Sequence, residues 1–289
     1  DINDLPRFPV RIRQVLFALR HSARYFGVAR ALVDGAIRLG APADKGYAST
    51  NGVDTARFRP TPKMDARTAL GLRTDRRYML SVSHLVPRKA VDILLRAHAM
   101  LRAAGHTDLC FIVVGQGGEE GDCEADLRAL ATELGIAEHV VWAGAVLNTD
   151  LHAWYSAADV FCLASEKEGW PNVVLEAMAC ATPVVAHRTW GVPEIITGPD
   201  LGSWSTPANR RRSRRPSAWR WKMTGTRRGY EVMHWRIRGT RWPTGCLRTS
   251  SRSSGPLRKR GSGLTNGHKL SRSTSTLKLT DKAVSICQT

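Results

Sequence analysis

The stretch DVFCLASEKEGWPNVVLEAMACATPVVA, residues 159–186, contains a strand–helix–strand pattern. Its first part, DVFCLAS (159–165), is a short apolar run of strand length, and PVVA (183–186) is another. Between them, one apolar helix face follows a Gly-Trp-Pro-Asn turn. Short, continuously apolar strands separated by helices are typical of a parallel sheet covered on both faces. The stretch therefore predicts an α/β fold.

The same alternation extends back to residue 78. We predict three further strands and three helices there, with strands at 78–83, 109–115 and 139–144 and helices at 90–105, 123–135 and 149–158. The sheet is therefore predicted to be Rossmann-like, with helices on both faces. Ligands of such sheets bind beside the carboxyl ends of the strands, so we expect functional residues in the loops that follow them.

The residues before 78 have a different pattern. Residues 10–38 predict one or two basic amphipathic helices. NGVDTARFRPTP (51–62) predicts an extended connector, because its Asn-Gly pair favours a turn and its two prolines prevent a helix. We expect a hinge here, between a preceding domain and the sheet.

The positive charge lies almost entirely in the last third of the chain. The 289 residues carry a net charge of +18. Residues 201–289 contain 21 Lys and Arg against 2 Asp and Glu, a net of +19. Residues 1–200 then hold 22 basic against 23 acidic residues, a net of −1. The sheet region is near neutral, so its charge does not predict a polyanion partner.

The six cysteines indicate a reducing compartment. They form no Cys-x-x-Cys pair, and Cys110 and Cys162 lie in apolar runs where a thiol is ordinarily a small core residue. We predict no metal site. No apolar run reaches the roughly 18 residues of a membrane span. The chain starts at Asp1 without a signal-like segment, which favours an incomplete N-terminus. We therefore expect a cytoplasmic protein.

Two glutamates, Glu168 and Glu176, are eight positions apart around the turn. Eight helical residues rise about 12 Å, whereas the two carboxyl groups of a glycosidase lie about 5–9.5 Å apart. Pro171 favours a helix start, which places Glu168 in the loop before the helix and Glu176 inside it. Because a helix start binds phosphate, the pair suits the two ends of a sugar–diphosphate–ribose ligand. The spacing alone equally allows two solvated surface residues.

Six segments in order resemble the retaining nucleotide-sugar glycosyltransferases of the large family 4, whose two-domain fold is called GT-B. EGWPNVVLEAMACATPVVA carries the Glu-x7-Glu pattern of that family. The other five segments are NGVDTARFRP, SVSHLVPRKAVDILLRA, FIVVGQGGE, LHAWYSAADVFCLAS and GVPEII. The resemblance runs from about residue 5 to residue 202.

The resemblance implies a role for each matching residue. Glu168 would bind hydroxyls of the donor sugar and Glu176 the ribose hydroxyls. Lys89 would neutralise the diphosphate as it leaves, and the resemblance implies that no metal is needed. The implied catalytic residues are therefore Glu168 and Lys89. The implied donor-binding residues are Glu176, His84, Gly115, Trp170, Asn172, Val173 and Val174. The backbone N–H groups of Asn172 and Val173 would receive the distal phosphate.

Other interpretations of single residues stay open. Lys89 alone is equally a surface lysine, the glycines at 115–118 an ordinary turn, and Trp170 a core residue. The sequence also departs from the family, which has Gly-Arg in place of Ser83-His84 and Gly in place of Ala90. KGYASTNGVD (45–54) replaces an apolar strand, so a strand is not expected there.

Four regions are predicted. Residues 1–50 are a remnant of an acceptor domain, 51–77 a connector and lead-in, 78–202 the nucleotide-sugar-binding domain, and 203–289 a basic, disordered tail. Apolar patterning stops near residue 203, where SWST replaces the Val-Leu-Val-Asp strand of the family. A one-base shift of suitable codons turns SWST into Val-Leu-Val-Asp. We therefore hypothesise that the tail is translated out of frame.

The predicted function is transfer of a sugar from a nucleoside diphosphate to a glycan, lipid or small-molecule acceptor. The nucleotide sugar is a co-substrate, and no further cofactor is expected. We expect this chain to be an inactive fragment. We expect its location to be the cytoplasm, with peripheral contact to the inner face of the membrane. Two alternatives are a nucleic-acid-binding module that uses NRRRSRR (209–215) and a sugar-nucleotide epimerase of similar fold. No sequence-specific nucleic acid is expected.

Overall fold

The computed structural model describes residues 8–198, 202–205, 220–225 and 231–236. Its helices are α1 (Pro9–His21), α2 (Arg30–Arg38), α3 (Lys63–Ala69), α4 (Val91–Ala103), α5 (Glu124–Glu133), α6 (Leu151–Ala157), α7 (Asn172–Ala179) and α8 (Val192–Ile195). Its strands are β1 (Tyr25–Gly27), β2 (Gly46–Ala48), β3 (Arg77–Val82), β4 (Leu109–Val114), β5 (Val140–Gly144), β6 (Val160–Leu163), β7 (Val184–His187), β8 (Ser203–Ser205), β9 (Arg220–Gly225) and β10 (Glu231–Arg236).

A parallel sheet forms the centre of the molecule. Its strand order is β5-β4-β3-β6-β7-β8, and every neighbouring pair is parallel. The five strands predicted between residues 78 and 186 are all present, with ends that differ by one or two residues. The predicted Rossmann-like α/β fold is confirmed.

Alternate side chains of each strand enter two separate cores. On β3, Tyr78, Leu80 and Val82 pack on the face covered by α6 and α7. Met79 packs on the other face, against apolar residues of α4 and α5. Both sets are almost completely buried. Because neither face meets water, the strands contain nearly continuous apolar runs, and this pattern is what made them predictable.

The strand order reverses between β3 and β6. The chain runs outward through β3, β4 and β5, and then crosses back to place β6 and β7 on the other side of β3. Parallel sheets bind ligands at such a reversal, beside the carboxyl ends of the two strands. The loops after β3 and β6 therefore border the expected binding crevice.

The N-terminal region forms a smaller unit. β1 and β2 pair in parallel, with Tyr25 opposite Gly46, and Tyr25, Val33 and Ala36 form a small core beside α2. The expectation that residues 45–54 lack a strand is wrong, because Gly46–Ala48 pairs with β1. Residues 51–62, predicted to be an extended connector, contain no helix or strand, and their Phe58 is buried beside the ring of Tyr155.

Three described segments of the tail differ from the predicted disorder. Ser203–Ser205 pairs in parallel with β7, and β9 pairs antiparallel with β10. The edge of β7 offers unpaired backbone N–H and C=O groups, which a short extended segment can satisfy whatever its side chains are. β8 lies where the out-of-frame hypothesis places the Val-Leu-Val-Asp strand, and that hypothesis stays a prediction. The basic segment 209–215 lies outside the described residues.

Candidate functional site

An ion pair lies at the crevice between β3 and β6. Lys89 Nζ is 2.6 Å from Glu168 Oε1, although the two residues are 79 positions apart. Lys89 ends a short 3-10 turn after β3, and Glu168 lies in the loop after β6. Their side chains are 13% and 12% exposed, so the pair is largely shielded from water. The structure therefore brings together the two residues that the resemblance implies to be catalytic.

Contacts among three loops support this pair. The N–H of Glu166, after β6, donates to the carbonyl of Arg88, after β3, at 2.9 Å. The Arg88 guanidinium in turn pairs with Glu120, in the loop after β4, at 2.5 Å. This hydrogen bond holds the pKa of the Glu120 carboxyl below its ordinary value. The loops after β3, β4 and β6 thus meet at the carboxyl ends of the strands.

A cavity of about 460 Å³ opens beside the ion pair. Its lining mixes carboxylates, cations and one indole, from Arg88, Glu120, Glu166, Lys167, Glu168, Gly169 and Trp190. Of the predicted site residues, Glu168 alone lines this cavity. Charged and hydroxyl-binding groups around one aromatic ring suit a small polar ligand.

Gly115 allows the loops after β3 and β4 to approach each other closely. Its φ is +137°, and a Cβ at this position would lie 1.8 Å from the backbone oxygen of Ser83. His84 follows Ser83 and is exposed, and its Nδ1 would be 3.2 Å from a Cβ at Gly118. His84 therefore lies against the glycine turn, in the predicted phosphate-binding loop.

Ala90 adopts a left-handed conformation, with φ 52° and ψ 41°. It joins the 3-10 turn that contains Lys89 to α4. The family that the sequence resembles has glycine at this position. The structure gives a physical reason for that glycine, because the left-handed region favours a residue without a Cβ.

The start of α7 is available to an anion. The helix begins at Asn172, with Pro171 as its N-cap residue and no side-chain cap. The N–H groups of Asn172 and Val173 therefore form the positive end of the helix dipole without competition from a capping side chain. Asn51 of the connector lies beside them, because its Nδ2 donates to Asn172 Oδ1 at 3.3 Å.

Glu176 is in a different environment from Glu168. It is the fifth residue of α7, is 8% exposed, and its Oε2 accepts a hydrogen bond from the Tyr155 hydroxyl at 2.7 Å. Burial raises the pKa of Glu176 above its ordinary value, and the Tyr155 hydrogen bond opposes this rise. The pKa of Tyr155 is also raised, by burial first and then by the neighbouring carboxylate. The Tyr155 hydroxyl donates only to Oε2, so Oε1 of Glu176 can accept a hydrogen bond from a further partner.

Two predicted site residues do not fit their implied roles. The N–H of Val174 donates to the Pro171 carbonyl at 3.0 Å, and its side chain is completely buried, so neither can reach a donor. Trp170 is turned toward the connector, because its Nε1 donates to the Asn51 carbonyl at 2.9 Å and its ring packs on the core. Trp190 lines the cavity instead.

Three contributors to the site, Tyr155, Asn51 and Trp190, are not among the site residues predicted from the sequence. Tyr155 and Asn51 lie in segments that the resemblance included, but only their tertiary contacts single them out. No group of three or more His, Cys, Asp or Glu side chains in the described part of the chain is arranged to hold a metal ion. In the same part of the chain, no helix has both the length and the apolarity needed to cross a bilayer.

Comparison with curated proteins finds inositol phosphate glycosyltransferases. The chain is 40% identical over 179 residues to D-inositol 3-phosphate glycosyltransferase 2 of Catenulispora acidiphila, a match covering 57% of this chain and 42% of that protein. It is 38% identical over 164 residues to D-inositol 3-phosphate glycosyltransferase of Mycobacterium marinum, covering 53% of this chain and 34% of that protein. The chain therefore spans less than half the length of these curated relatives.

Comparison with solved structures gives the same fold. Anabaena HepE in complex with UDP-glucose is 25% identical, with a TM-score of 0.63 over 72% of this chain and 57% of that chain. Sucrose-phosphate synthase of Thermosynechococcus elongatus is 24% identical, with a TM-score of 0.62 over 70% and 49%. The predicted GT-B fold class is confirmed. The family model described as glycosyl transferases group 1 matches residues 63–212. Because this match covers just over half of the sequence and includes both glutamates, the chain belongs to the glycosyl transferases group 1 family.

Proposed function

We propose that this chain is the donor-binding part of a retaining glycosyltransferase that uses a nucleoside-diphosphate sugar. The observation that carries the proposal is the Lys89–Glu168 ion pair at the crevice between β3 and β6. A sugar diphosphate presents hydroxyl groups next to phosphate oxygens. A shielded carboxylate beside a shielded ammonium matches both ends of that junction, because each charge is strengthened by exclusion of water.

The proposed roles of the other residues follow from the position of this ion pair. In the proposed transfer, the bond between the sugar C1 and the diphosphate oxygen breaks, and an acceptor oxygen bonds to C1 and gives its proton to the departing diphosphate. Negative charge develops on the departing diphosphate, where Lys89 and the N–H groups of Asn172 and Val173 would stabilise it. His84 and Gly115 would line the phosphate loop, where an imidazole is a weaker phosphate partner than the forked guanidinium of arginine. Glu176, held by Tyr155, would bind the ribose.

The relatives support a UDP-sugar as the donor and suggest the first acceptor to test. The Anabaena protein is described in complex with UDP-glucose, and the curated relatives are named for D-inositol 3-phosphate. We therefore propose UDP-glucose or a related UDP-hexose as the donor. For the acceptor, the proposal extends only to the glycan, lipid and small-molecule classes, with an inositol phosphate as the first compound to test.

We also propose that the protein works in the cytoplasm, at the inner face of the membrane. The described cysteines are all free thiols, which suits a reducing compartment. Helix α1 exposes Val10 and Phe17 beside several arginines, which suits weak contact with an anionic lipid surface. Fractionation of cells that express the chain checks this, and recovery in a salt-washed soluble fraction alone would contradict the membrane contact.

The test is calorimetric titration of the 289-residue chain with UDP, GDP, ADP and UDP-glucose. Binding is measured rather than turnover, because the chain spans less than half the length of its curated relatives. We expect UDP-glucose to bind, and Lys89→Met to weaken it about 100-fold through loss of a charge-assisted phosphate contact. Glu168→Gln should weaken UDP-glucose more than UDP, because its carboxylate is assigned to the sugar.

The matched control is Lys63→Met. Lys63 also forms an ion pair, with Asp159 at 2.7 Å. Asp159 precedes β6, however, and so lies at the amino ends of the strands, away from the proposed donor site. This variant should keep the wild-type affinity. Equal losses for Lys63→Met and Lys89→Met, or no heat from any of the four ligands, would reject the proposed donor site.

A further inference from the structure

Helix α2 begins without a cap of its own. Its N-cap residue is Ala29, whose methyl side chain cannot accept a hydrogen bond. Helix starts leave N–H groups that need acceptors, and Ser, Thr, Asp or Asn ordinarily supply one from the N-cap position. Ala29 is completely buried, so solvent does not replace the missing cap at this residue.

Glu194 supplies the missing acceptors from a distant part of the chain. Its Oε2 accepts the N–H of Arg30 and its Oε1 accepts the N–H of Ala31, both at 2.8 Å. Glu194 belongs to α8 of the sheet domain and is more than 160 positions away in sequence. A carboxylate at the positive end of a helix is favoured by both hydrogen bonding and the helix dipole. Glu194 thus joins the N-terminal unit to the sheet domain.

The helix held in this way packs on the loop that carries Glu168. A Cβ at Gly169 would lie 3.2 Å from Leu32 Cδ1 of α2 and 3.3 Å from Val28 Cγ2. On the other side, a Cβ at Gly191, just before α8, would lie 2.1 Å from the Gly169 oxygen. The loop therefore lies between the start of α2 and the start of α8, the two elements that Glu194 connects.

We propose that Glu194 is a positioning residue for the donor site. Its carboxylate fixes α2 against α8 and so holds the intervening loop where Glu168 meets Lys89. This inference rests on the proposed function only for its effect on ligand binding. Its structural part, the coupling of α2 to the 166–171 loop, does not depend on any ligand.

The test is amide hydrogen exchange, read by mass spectrometry, on the full chain and on Glu194→Gln. Glutamine keeps the shape of glutamate but replaces one acceptor oxygen by an amide donor. We expect exchange in α2 and in residues 166–171 to become about ten-fold faster, the size of effect that the loss of a helix cap produces. Glu133→Gln, an exposed change of the same type on α5, should exchange like the wild type.

A rescue variant separates positioning from simple capping. Ala29→Ser, added to Glu194→Gln, gives α2 a cap of its own without restoring the link to α8. We expect Glu194→Gln to bind UDP-glucose about ten-fold more weakly than the wild type. In the double variant we expect protection of α2 to return, while residues 166–171 stay unprotected and the UDP-glucose affinity stays about ten-fold lower. Return of loop protection, or an unchanged loop in Glu194→Gln, would overturn the proposal.

The two proposals fail in different ways. A wild-type chain that does not bind UDP-glucose contradicts the proposed function, and the exchange data still decide the role of Glu194. If Glu194→Gln does not fold, Glu194→Asp replaces it, since aspartate keeps the charge but is one methylene too short to reach both N–H groups. The same exchange criteria then apply.

Discussion

The two sides of the crevice are held in shape by different means. The β3 side, residues 83–90 with 115–118, is fixed by backbone hydrogen bonds, such as Leu85 N–H to the Gln116 carbonyl at 2.7 Å and Gly115 N–H to the Gly144 carbonyl at 2.8 Å. The β6 side, residues 164–176, has one backbone hydrogen bond to the β3 side, from Glu166 N–H to the Arg88 carbonyl, and otherwise depends on side chains from elsewhere in the chain. The two glutamates on this side have different partners, because Glu168 pairs with the Lys89 ammonium and Glu176 accepts a hydrogen bond from the Tyr155 phenol.

This difference separates substitutions that damage the fold from those that tune the site. On the β3 side, an added atom must displace main chain that other strands depend on. On the β6 side, removal of a partner changes the charge state or position of one acid and leaves the sheet intact. Unfolding free energies of matched variants distinguish these two kinds of substitution.

Gly115→Ala should have the largest effect on stability. The new Cβ would lie 1.8 Å from the Ser83 oxygen, and alanine is strained at a φ of +137°. We expect a loss of about 3 kcal/mol or more in the unfolding free energy, from overpacking and backbone strain together. Urea denaturation followed by circular dichroism measures it.

Gly121→Ala is the matched control for backbone strain. Gly121 has a similar φ of +121°, but no heavy atom lies within 4 Å of the position of its Cβ. It should lose only about 1 kcal/mol. If the two variants were equally stable, the backbone of Gly115 would not lie as close to the Ser83 oxygen as the structure shows. The β3 side would then not be fixed by its backbone.

Tyr155→Phe should have an intermediate effect that depends on pH. It removes the hydrogen bond that opposes the rise in the pKa of Glu176, so that pKa rises further. An acid with a raised pKa in the folded state loses stability as the pH rises through that pKa, because the charged form is penalised only in the fold. We expect a loss of about 2 kcal/mol near pH 7 that shrinks as the pH falls toward the ordinary glutamate range.

Tyr78→Phe controls for the loss of a buried phenol. The Tyr78 hydroxyl is also hydrogen-bonded, but to the Arg73 carbonyl at 3.0 Å rather than to a carboxylate. It should lose about 1 kcal/mol at both pH values. A loss for Tyr155→Phe that does not change with pH would mean that Glu176 does not titrate against this hydroxyl.

The sequence predicted the sheet well because its signal is local. The apolar runs of β3, β4 and β6 follow directly from burial on both faces, whereas the position of β6 beside β3 is a long-range feature that the runs themselves do not specify. The site is different, because its decisive contacts join residues far apart. Lys89 and Glu168 are 79 positions apart, and only the resemblance to a family put them together.

The errors in the site have the same cause. Val174 shares a helix start with Asn172 and Val173, but its N–H already bonds to Pro171, a detail fixed by the exact position of the N-cap. Trp170 is directed to the connector by the carbonyl of Asn51, 119 positions earlier. No local pattern specifies either contact, so the resemblance to the family alone assigned both residues to the ligand.

The smallest effect is expected for Ala90→Gly, on the β3 side. Relief of the left-handed conformation gains about 1 kcal/mol, but glycine also loses a buried methyl group and makes the unfolded chain more flexible. The terms oppose each other, so the unfolding free energy should change by no more than about 0.5 kcal/mol. Ala181→Gly, at a φ of 57° on an exposed turn after α7, has no buried methyl group to lose and should gain about 0.5 kcal/mol or more. Urea midpoints of both variants decide the matter, and a clear loss of stability in Ala181→Gly would show that the left-handed backbone carries no strain for glycine to relieve.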